Sequence, residues 1–342
     1  KKIFSDVVLG EYGTEHEIKH KNENPSINYI LDQIDDGTIA VPRFQRYYEW
    51  KPDQVTSLLA SIFHEFFIGS LLMWDIKDEH KERCGMIPVQ GSNPDNLKGD
   101  QLTIDGQQRI TSLYYAIRGP DPTNNKQEKH PGYFYINYNN FINDGDGKDD
   151  IVQFKKKIPE QETFNKLYFP CYYLDPPKRD KWFDDLKKYV KPSNSEDRDK
   201  LDKIRSIFVQ KLNRFLFQYT IPQLTISNVN FDRIATIFQK VNTEGTRLGL
   251  FALMSVILWA SGVDLRTLWK DTIHKHPNLH RYDKSLKTDM GRYIMESISL
   301  SFGRRKLDWP DDKFKITWVF TNSLKKYSSY DETRLFNIPY IN

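Results

Sequence analysis

The stretch "LTIDGQQRITSLYYAI", residues 102–117, decides the local fold of this chain. An apolar run ends at Asp105, Gly106 follows, and apolar residues then recur at helical spacing, which predicts a strand, a tight turn and a helix. Asp105 is a good helix N-cap, and Gln108 three residues later completes an aspartate version of the capping box. The predicted buried face of the helix is Ile110, Leu113, Tyr114 and Ile117.

Arg109 is unexpected in the first turn of that helix. The helix dipole disfavours a cation there by about 0.3–1 kcal/mol unless an anion lies nearby. Gly106 allows close approach to the backbone N–H groups of the first turn, which form a ready anion site. Asp105 could itself be the compensating anion. The residues therefore leave two interpretations open, a well-started helix and a phosphate-binding turn.

A second stretch, "VPRFQRYYEW" at residues 41–50, combines cations, an amide and aromatic rings. Arg43, Gln45 and Arg46 could form a basic lip over a nucleotide or a nucleic-acid backbone, because planar guanidinium groups suit phosphate. Residues three apart in an extended segment point to opposite faces, so a bend is needed to bring both arginines to one ligand. The alternative is a surface loop whose aromatic rings fill the core.

A third stretch, residues 231–248, predicts a helix, a break at Asn242 to Gly245, and a second helix from Leu248. One interpretation is a helical hairpin with glycine in its turn. The other directs Asn242 and its neighbours at a site. The second helix is too apolar to lie in a DNA groove, which argues against a DNA-reading helix–turn–helix.

Composition sets wider limits on the class of protein. The chain has 342 residues, 38% of them hydrophobic and 14% aromatic, which is enough to build a core and excludes a disordered tail. The net charge of +4 neither requires nor excludes nucleic acid. Cys84 and Cys171 lack metal-site or redox spacing, so a reducing, cytoplasmic setting is expected. No apolar run reaches the length of a membrane span.

The order of elements predicts an α+β fold. Strands and helices mix in the first part of the chain, and helices dominate the last part. We expect an N-terminal arm over residues 1–24, a core over 25–230 with a helical insertion at about 178–219, and a mainly helical domain over 231–342.

No metal-binding motif is expected. The acidic run at 143–150 resembles part of a calcium loop but lacks the closing glutamate, so a solvated turn is favoured. The histidines of "HKHPNLH", His274, His276 and His280, have no further ligands at suitable spacing and are interpreted as solvated.

Taken together, these stretches resemble the N-terminal domain of GmrSD-type, modification-dependent restriction endonucleases, whose core is ParB/sulfiredoxin-like. The resemblance spans about residues 41–248 and lies in four segments that follow the family's order. They are "VPRFQRYYEW", "FFIGSLLMWDI", "IDGQQRITSL" and "IFQKVNTEGTRL". The resemblance implies a small mixed-sheet core with a helical insertion and a mainly helical C-terminal part.

The resemblance also implies a site. Residues 105–109 would bind and hydrolyse a nucleoside triphosphate, with Asp105 and Arg109 catalytic and Mg²⁺ as the accompanying ion. The other nucleotide-binding residues would be Gly106, Gln107, Gln108, Arg43, Gln45 and Arg46, with Asn242 and Gly245 shaping the site from the helical side. Arg109 and Arg46 would stabilise charge on the transferred phosphoryl group, and Asp105 would hold Mg²⁺ or orient water.

The partners implied by the resemblance are a nucleoside triphosphate, DNA that carries a modification, and an HNH-type nuclease that cuts. The chain itself shows no HNH motif, so the nuclease would be another domain or chain. A DNA-binding module without hydrolysis and a ParB-like nuclease remain alternatives. A homo-oligomer is compatible with the sequence, and no membrane partner is expected.

Overall fold

The computed structural model describes residues 18–45, 48–119, 132–142, 151–244, 255, 259 and 264–275. Its larger sheet has six strands. In chain order they are β1 (Lys19–Glu23), β2 (Ile39–Pro42), β3 (Leu71–Asp75), β4 (Met86–Pro88), β5 (Gln101–Asp105) and β9 (Gln223–Ser227). The spatial order is β1-β9-β3-β5-β2-β4.

Four neighbouring strands of this sheet begin or end at the same end of the sheet. β2 and β5 are parallel, β3 is antiparallel to β5, and β9 is parallel to β3. Leu72 is paired with Asp105, and Leu71 with Gln223. The C-terminal ends of β2 and β5 therefore meet the N-terminal ends of β3 and β9. The segments 43–45, 66–70 and 106–109 all leave or enter the sheet at this end of its strands.

A smaller antiparallel sheet has the order β7-β6-β8. Its strands are β6 (Tyr133–Asn137), β7 (Val152–Lys155) and β8 (Tyr168–Pro170). Residues of this sheet share one apolar cluster with the helices beside the larger sheet, so the two sheets belong to the same core.

Helices supply the remaining layers. Those of the first half are α1 (Ile27–Asp35), α2 (Pro52–Phe63), α3 (Asp78–Cys84), α4 (Gln107–Ile117), α5 (Tyr138–Ile142) and α6 (Glu160–Lys166). Those of the second half are α7 (Pro176–Val190), α8 (Ser195–Asn213), α9 (Phe231–Glu244) and α10 (Leu265–Lys275), and α8 continues as a π-helical turn over Arg214–Gln218.

Local sequence explains where the best-defined helices begin. Ser26 caps α1, its hydroxyl oxygen accepting a hydrogen bond from the Tyr29 N–H at 3.2 Å. Pro52 opens α2, where its missing N–H costs nothing. Ile27, Ile30, Leu31 and Ile34 recur at helical spacing and form the buried face of α1.

The two faces of the larger sheet carry different cores, because alternate strand residues point to opposite sides. On one face, Val41 and Met73 join α1, α2 and α4. On the other face, Trp74 and Ile104 join α9. Phe44 packs edge-on against two rings of α9, with ring centroids 5.7 Å from Phe231 and 5.4 Å from Phe238.

The α+β class is confirmed, and kinship of the core to ParB and sulfiredoxin stays a prediction. Two segments differ from the sequence-based expectation. Lys19–Glu23 lies within the expected loose arm but pairs with β9 along its whole length. Residues 77–100, whose polar composition with glycine and proline predicts a long hairpin or flexible loop, contain α3 and β4. The helical insertion is present as α7 and α8. α9, which begins the expected C-terminal domain, packs on the core sheet.

Several expectations fall outside the described residues. These are the acidic turn at 143–150, the side chains of Arg46, Asn242, Gly245, His276 and His280, and the apolar helix from Leu248, of which Ser255 and Trp259 are described. Within the described part of the chain, no helix has the length and apolar character needed to cross a membrane.

Candidate functional site

The turn between β5 and α4 is built on a left-handed glycine. Gly106 has φ +99° and serves as the N-cap of α4, and its carbonyl accepts the Ile110 N–H at 3.1 Å. Any side chain here would be strained, and a Cβ would lie 2.3 Å from Leu71 Cδ2. The expected N-cap role of Asp105 is wrong, because the cap is one residue later and makes no side-chain hydrogen bond.

Gln108 does not form the expected capping box. Its Oε1 accepts the backbone N–H groups of Glu49 at 2.9 Å and Trp50 at 3.3 Å. The Ser112 hydroxyl donates to the Gln108 carbonyl at 2.7 Å. It also lies 3.0 Å from the Tyr48 hydroxyl, which must then be the donor of that pair. The first turns of α4 are thereby tied to residues 48–50.

The Arg109 side chain turns back over β5 and meets three acceptors. Nη1 donates to the Ile68 carbonyl at 2.9 Å, and Nη2 donates to the Ser70 carbonyl at 2.7 Å and to Asp105 Oδ2 at 3.2 Å. These bonds use three of the five guanidinium N–H groups. Asp105 is thus the anion that compensates the cation in the first turn. The Asp105 side chain is 43% exposed and that of Arg109 16%.

Gly69 makes room for this arrangement. Its φ is +93°, and a Cβ at this position would lie 1.9 Å from Arg109 Nη1. The segment Phe66–Ser70 therefore wraps closely around the guanidinium. Gly69 and Ser70 are functional residues that the sequence-based expectation missed. The available signal was a glycine two residues before a strand, inside "FFIGSLLMWDI".

The segment after β2 is partly a scaffold for β5. Gln45 is buried, and its Nε2 donates to the carbonyls of Thr103 and, at 3.0 Å, Ile104. Burial raises the pKa of the Tyr48 hydroxyl, which keeps it protonated as the donor to Ser112. These contacts hold Gln45 and residues 48–50 against β5 and the first turns of α4, so these parts form one structural unit.

Arg43 lies apart from that unit. Its side chain is half exposed, and Nε is 3.4 Å from Asp264 Oδ2, just before α10. The guanidinium carbon lies 5.7 Å from the ring centroid of Trp259, a cation–π distance. The structure thus brings Gln45 and residues 105–109 together and directs Arg43 toward the later helical segment.

The chemical groups available at the C-terminal end of β5 are a fixed carboxylate–guanidinium pair beside a helix N-terminus. Gly106, Gln107 and Gln108 are buried, so Asp105 forms the accessible side of the turn. A carboxylate of this kind fits Mg²⁺ carried by a triphosphate, because that ion commonly takes one or two protein carboxylates and keeps its phosphate ligands. Among the described residues, no group of three His, Cys, Asp or Glu side chains could hold a metal ion alone.

The fold and the turn together define a class of protein. It is an α+β domain in which a central strand ends in Asp-Gly-Gln-Gln-Arg and is held by the glutamine of a Pro-Arg-Phe-Gln segment. The model of the GmrSD restriction endonuclease N-terminal domain matches residues 27–259. The chain belongs to this family.

A relative with a curated sequence is an uncharacterized protein, MJ0686, of Methanocaldococcus jannaschii. It is 25% identical over 317 residues, which cover 84% of this chain and 50% of that protein. The chain thus spans about half the length of the curated relative that it matches.

Proposed function

We propose that this domain binds a nucleoside triphosphate with Mg²⁺ at the β5–α4 turn, hydrolyses it, and thereby regulates a nuclease in defence against modified DNA. The observation that carries the proposal is the Asp105–Arg109 pair, with its Nη2–Oδ2 distance of 3.2 Å, on the accessible side of a left-handed glycine turn. The family's association with restriction endonucleases supports the DNA-defence context.

Three residues of the turn, Asp105, Gly106 and Arg109, have assigned roles in this proposal. Asp105 engages Arg109 through Oδ2, and we assign the second carboxylate oxygen to Mg²⁺ or to the attacking water. When bound, Mg²⁺ neutralises phosphate charge. Arg109 retains two N–H groups for phosphate oxygens once its three protein contacts are made. Gly106 leaves the space that Leu71 and the Arg109 guanidinium occupy.

The partner that cuts DNA would be an HNH-type nuclease supplied by another domain or chain. The activity of this nuclease would depend on the nucleotide bound at the β5–α4 turn. The side chain of Arg43 faces Asp264 and Trp259. It would contact DNA from the helical side or transmit the effect of the bound nucleotide to it. Arg46, Asn242 and Gly245 complete the proposed set.

Asp105→Asn is the direct test, because it removes charge while keeping size and one oxygen acceptor for Arg109. Phosphate release from the four triphosphates should fall at least tenfold, whereas folding monitored by circular dichroism should not change. Asp100→Asn is the matched control, since Asp100 precedes the other end of β5 and pairs with Lys81 at 2.8 Å. It should hydrolyse as the wild type does.

Other outcomes would redirect the assignment. Equal turnover by both variants would remove Asp105 from the catalytic site. A wild-type chain that binds DNA but releases no phosphate under any of these conditions would favour the DNA-binding module. Metal-dependent nicking of duplex by the chain alone would favour the ParB-like nuclease.

A further inference from the structure

A cavity lies apart from the Asp105 turn, none of whose residues line it. It is an open cleft of about 760 Å³ between the end of α2, α5 and the π-helical turn after α8. This volume is in the range of sites that enclose a small molecule or a nucleotide-sized group. Nothing in the proposed nucleotide chemistry uses it.

Aromatic rings form much of the cleft. Phe63 and Phe215 stack at a centroid distance of 4.4 Å with 24° between their planes. His64 and Phe66 stack at 5.4 Å and 25°. Phe66 is 58% exposed, so its ring is available to a ligand. Stacked, partly exposed rings of this kind bind nucleobases through their faces.

Polar groups are mixed with the rings. The Nε2 atom of His64 is buried, and no hydrogen-bond partner for it is found in the described part of the chain. A buried polar atom without a partner is costly, so a ligand atom at this position would remove a penalty. Arg214 is paired with Glu65 at 2.8 Å, and Lys211 Nζ donates to the Phe141 carbonyl at 2.9 Å. Gln218 adds an exposed amide.

Phe67 stands beside the cleft and is 76% exposed. It follows Glu65 and Phe66 in a sharp turn in which Glu65 has φ +58°. Two consecutive phenylalanines in water are unfavourable unless a partner covers them. An exposed apolar ring of this kind can enter the space between base pairs in a duplex.

We propose that this cleft receives a nucleobase extruded from duplex DNA, with its ring on Phe66 and with Phe67 filling the gap left in the duplex. The base edge offers donors and acceptors to His64 Nε2 and Gln218. Arg214 and Lys211 supply positive charge for the flanking phosphates, against the single carboxylate of Glu65. A peptide aromatic side chain would satisfy the rings but neither the ring nitrogen nor the cations.

The proposal rests on the proposed function only in naming DNA as the partner, and it requires no hydrolysis. It is therefore tested without nucleotide and without Mg²⁺. The probes are fluorescein-labelled duplexes that differ at one central pair, one fully matched and one mismatched, together with the single strand. Binding to the full chain is measured by fluorescence anisotropy. Extrusion costs less at a mismatch, so the mismatched duplex should bind more tightly.

Phe66→Ala should weaken binding of the mismatched duplex by about tenfold, since base–aromatic stacking is lost. Phe67→Ala should weaken binding of both duplexes, because the gap left by the extruded base is no longer filled, and should leave single-strand binding unchanged. Phe217→Ala is the matched control, because Phe217 lies in the same π-helical turn and is 43% exposed but does not line the cleft. This control should bind as the wild type does.

A free nucleoside would place the same kind of base in the cleft as an extruded nucleotide does. Competition with 2-aminopurine riboside distinguishes the two sources. Displacement of the mismatched duplex from wild type, but not from Phe66→Ala, would support a nucleobase site in this cleft. Tight binding of the nucleoside with no mismatch preference would overturn the extruded-base proposal. Equal binding by wild type and Phe66→Ala, or no binding to any duplex, would overturn it as well.

Discussion

At the scale of single residues, the structure explains how an arginine is tolerated at position 109. Its position in the first turn of α4 required compensation, and Asp105 together with two main-chain carbonyls provides it. A nucleotide is therefore not needed to explain why arginine is tolerated here. The nucleotide proposal depends instead on the accessibility of Asp105.

Arg109→Ala should lower the free energy of unfolding by about 2–3 kcal/mol, because it leaves the Ile68 and Ser70 carbonyls and Asp105 without their donor. Urea denaturation measures this. Lys166→Ala is the control, since Glu162 and Lys166 form an acid–base pair with the same spacing at an exposed site. Such pairs contribute little to stability, so this control should unfold as the wild type does. Equal stability of both variants would contradict the anchoring role of Arg109.

The two buried cysteines predict a pH dependence. Burial raises the pKa of the Cys84 thiol to about 12 and raises that of Cys171 in the same direction. A raised pKa in the folded state means that the stabilisation is present below the unfolded thiol pKa of about 8.5 and is lost as pH rises toward 12. Urea midpoints should therefore fall between pH 8 and pH 10. Both thiols should resist Ellman's reagent at pH 8 until the protein unfolds.

At the scale of elements, the segment Phe66–Ser70 is the connection that sequence periodicity does not show. It joins α2 to β3, and its carbonyls hold Arg109 from a distance of about forty residues along the chain. Tyr219 donates its hydroxyl to the Phe66 carbonyl at 2.6 Å from the opposite side. The conformation of this short segment therefore decides the position of the guanidinium.

Gly69→Ala should destabilise the protein by about 1–3 kcal/mol more than Gly91→Ala does. Both glycines have nearly the same φ, +93° and +96°, so backbone strain is matched. An added Cβ at Gly69 meets Arg109 Nη1 at 1.9 Å, whereas at Gly91 it meets Tyr114 at 3.7 Å. The difference in thermal unfolding between the two variants measures the cost of the clash between the added Cβ and Arg109. Equal losses would show that Arg109 moves aside freely.

How much the sequence could predict depends on the range of the interaction. α1 and β5 were predictable because apolar spacing and a Ser or Gly boundary specify them locally. The N-cap of α4 was not, since the choice between Asp105 and Gly106 is made by contacts of Arg109 with residues 68–70. β1 was not predictable either, because its polar and charged side chains lack the apolar pattern of a strand. It is held by main-chain pairing with β9.

At the scale of the whole molecule, the core is continuous across the expected boundary at residue 230. α9 covers the sheet face that carries Trp74, packs against Phe44 just after β2, and buries Phe231 fully. The family match, which extends to residue 259, agrees with this continuity.

Phe231→Ala should therefore cost about 3–5 kcal/mol, as truncation of a buried ring does in a close-packed core. Val241→Ala is the control on the same helix, since Val241 is 36% exposed. It should change stability by about 0.5 kcal/mol or less. Guanidinium denaturation compares the two variants. A small loss for Phe231→Ala would mean that α9 is a separable element and would restore the boundary at 230.

The placement of Phe66–Ser70 has a thermodynamic consequence. One end of the segment borders the aromatic cleft, and the other end supplies acceptors to Arg109 beside the proposed phosphate position. If a bound base shifts the segment, the two binding equilibria become linked, and linkage is reciprocal. The factor by which DNA changes the triphosphate affinity must then equal the factor by which triphosphate changes the DNA affinity. Two titrations, each with the other ligand saturating, would measure a single coupling free energy.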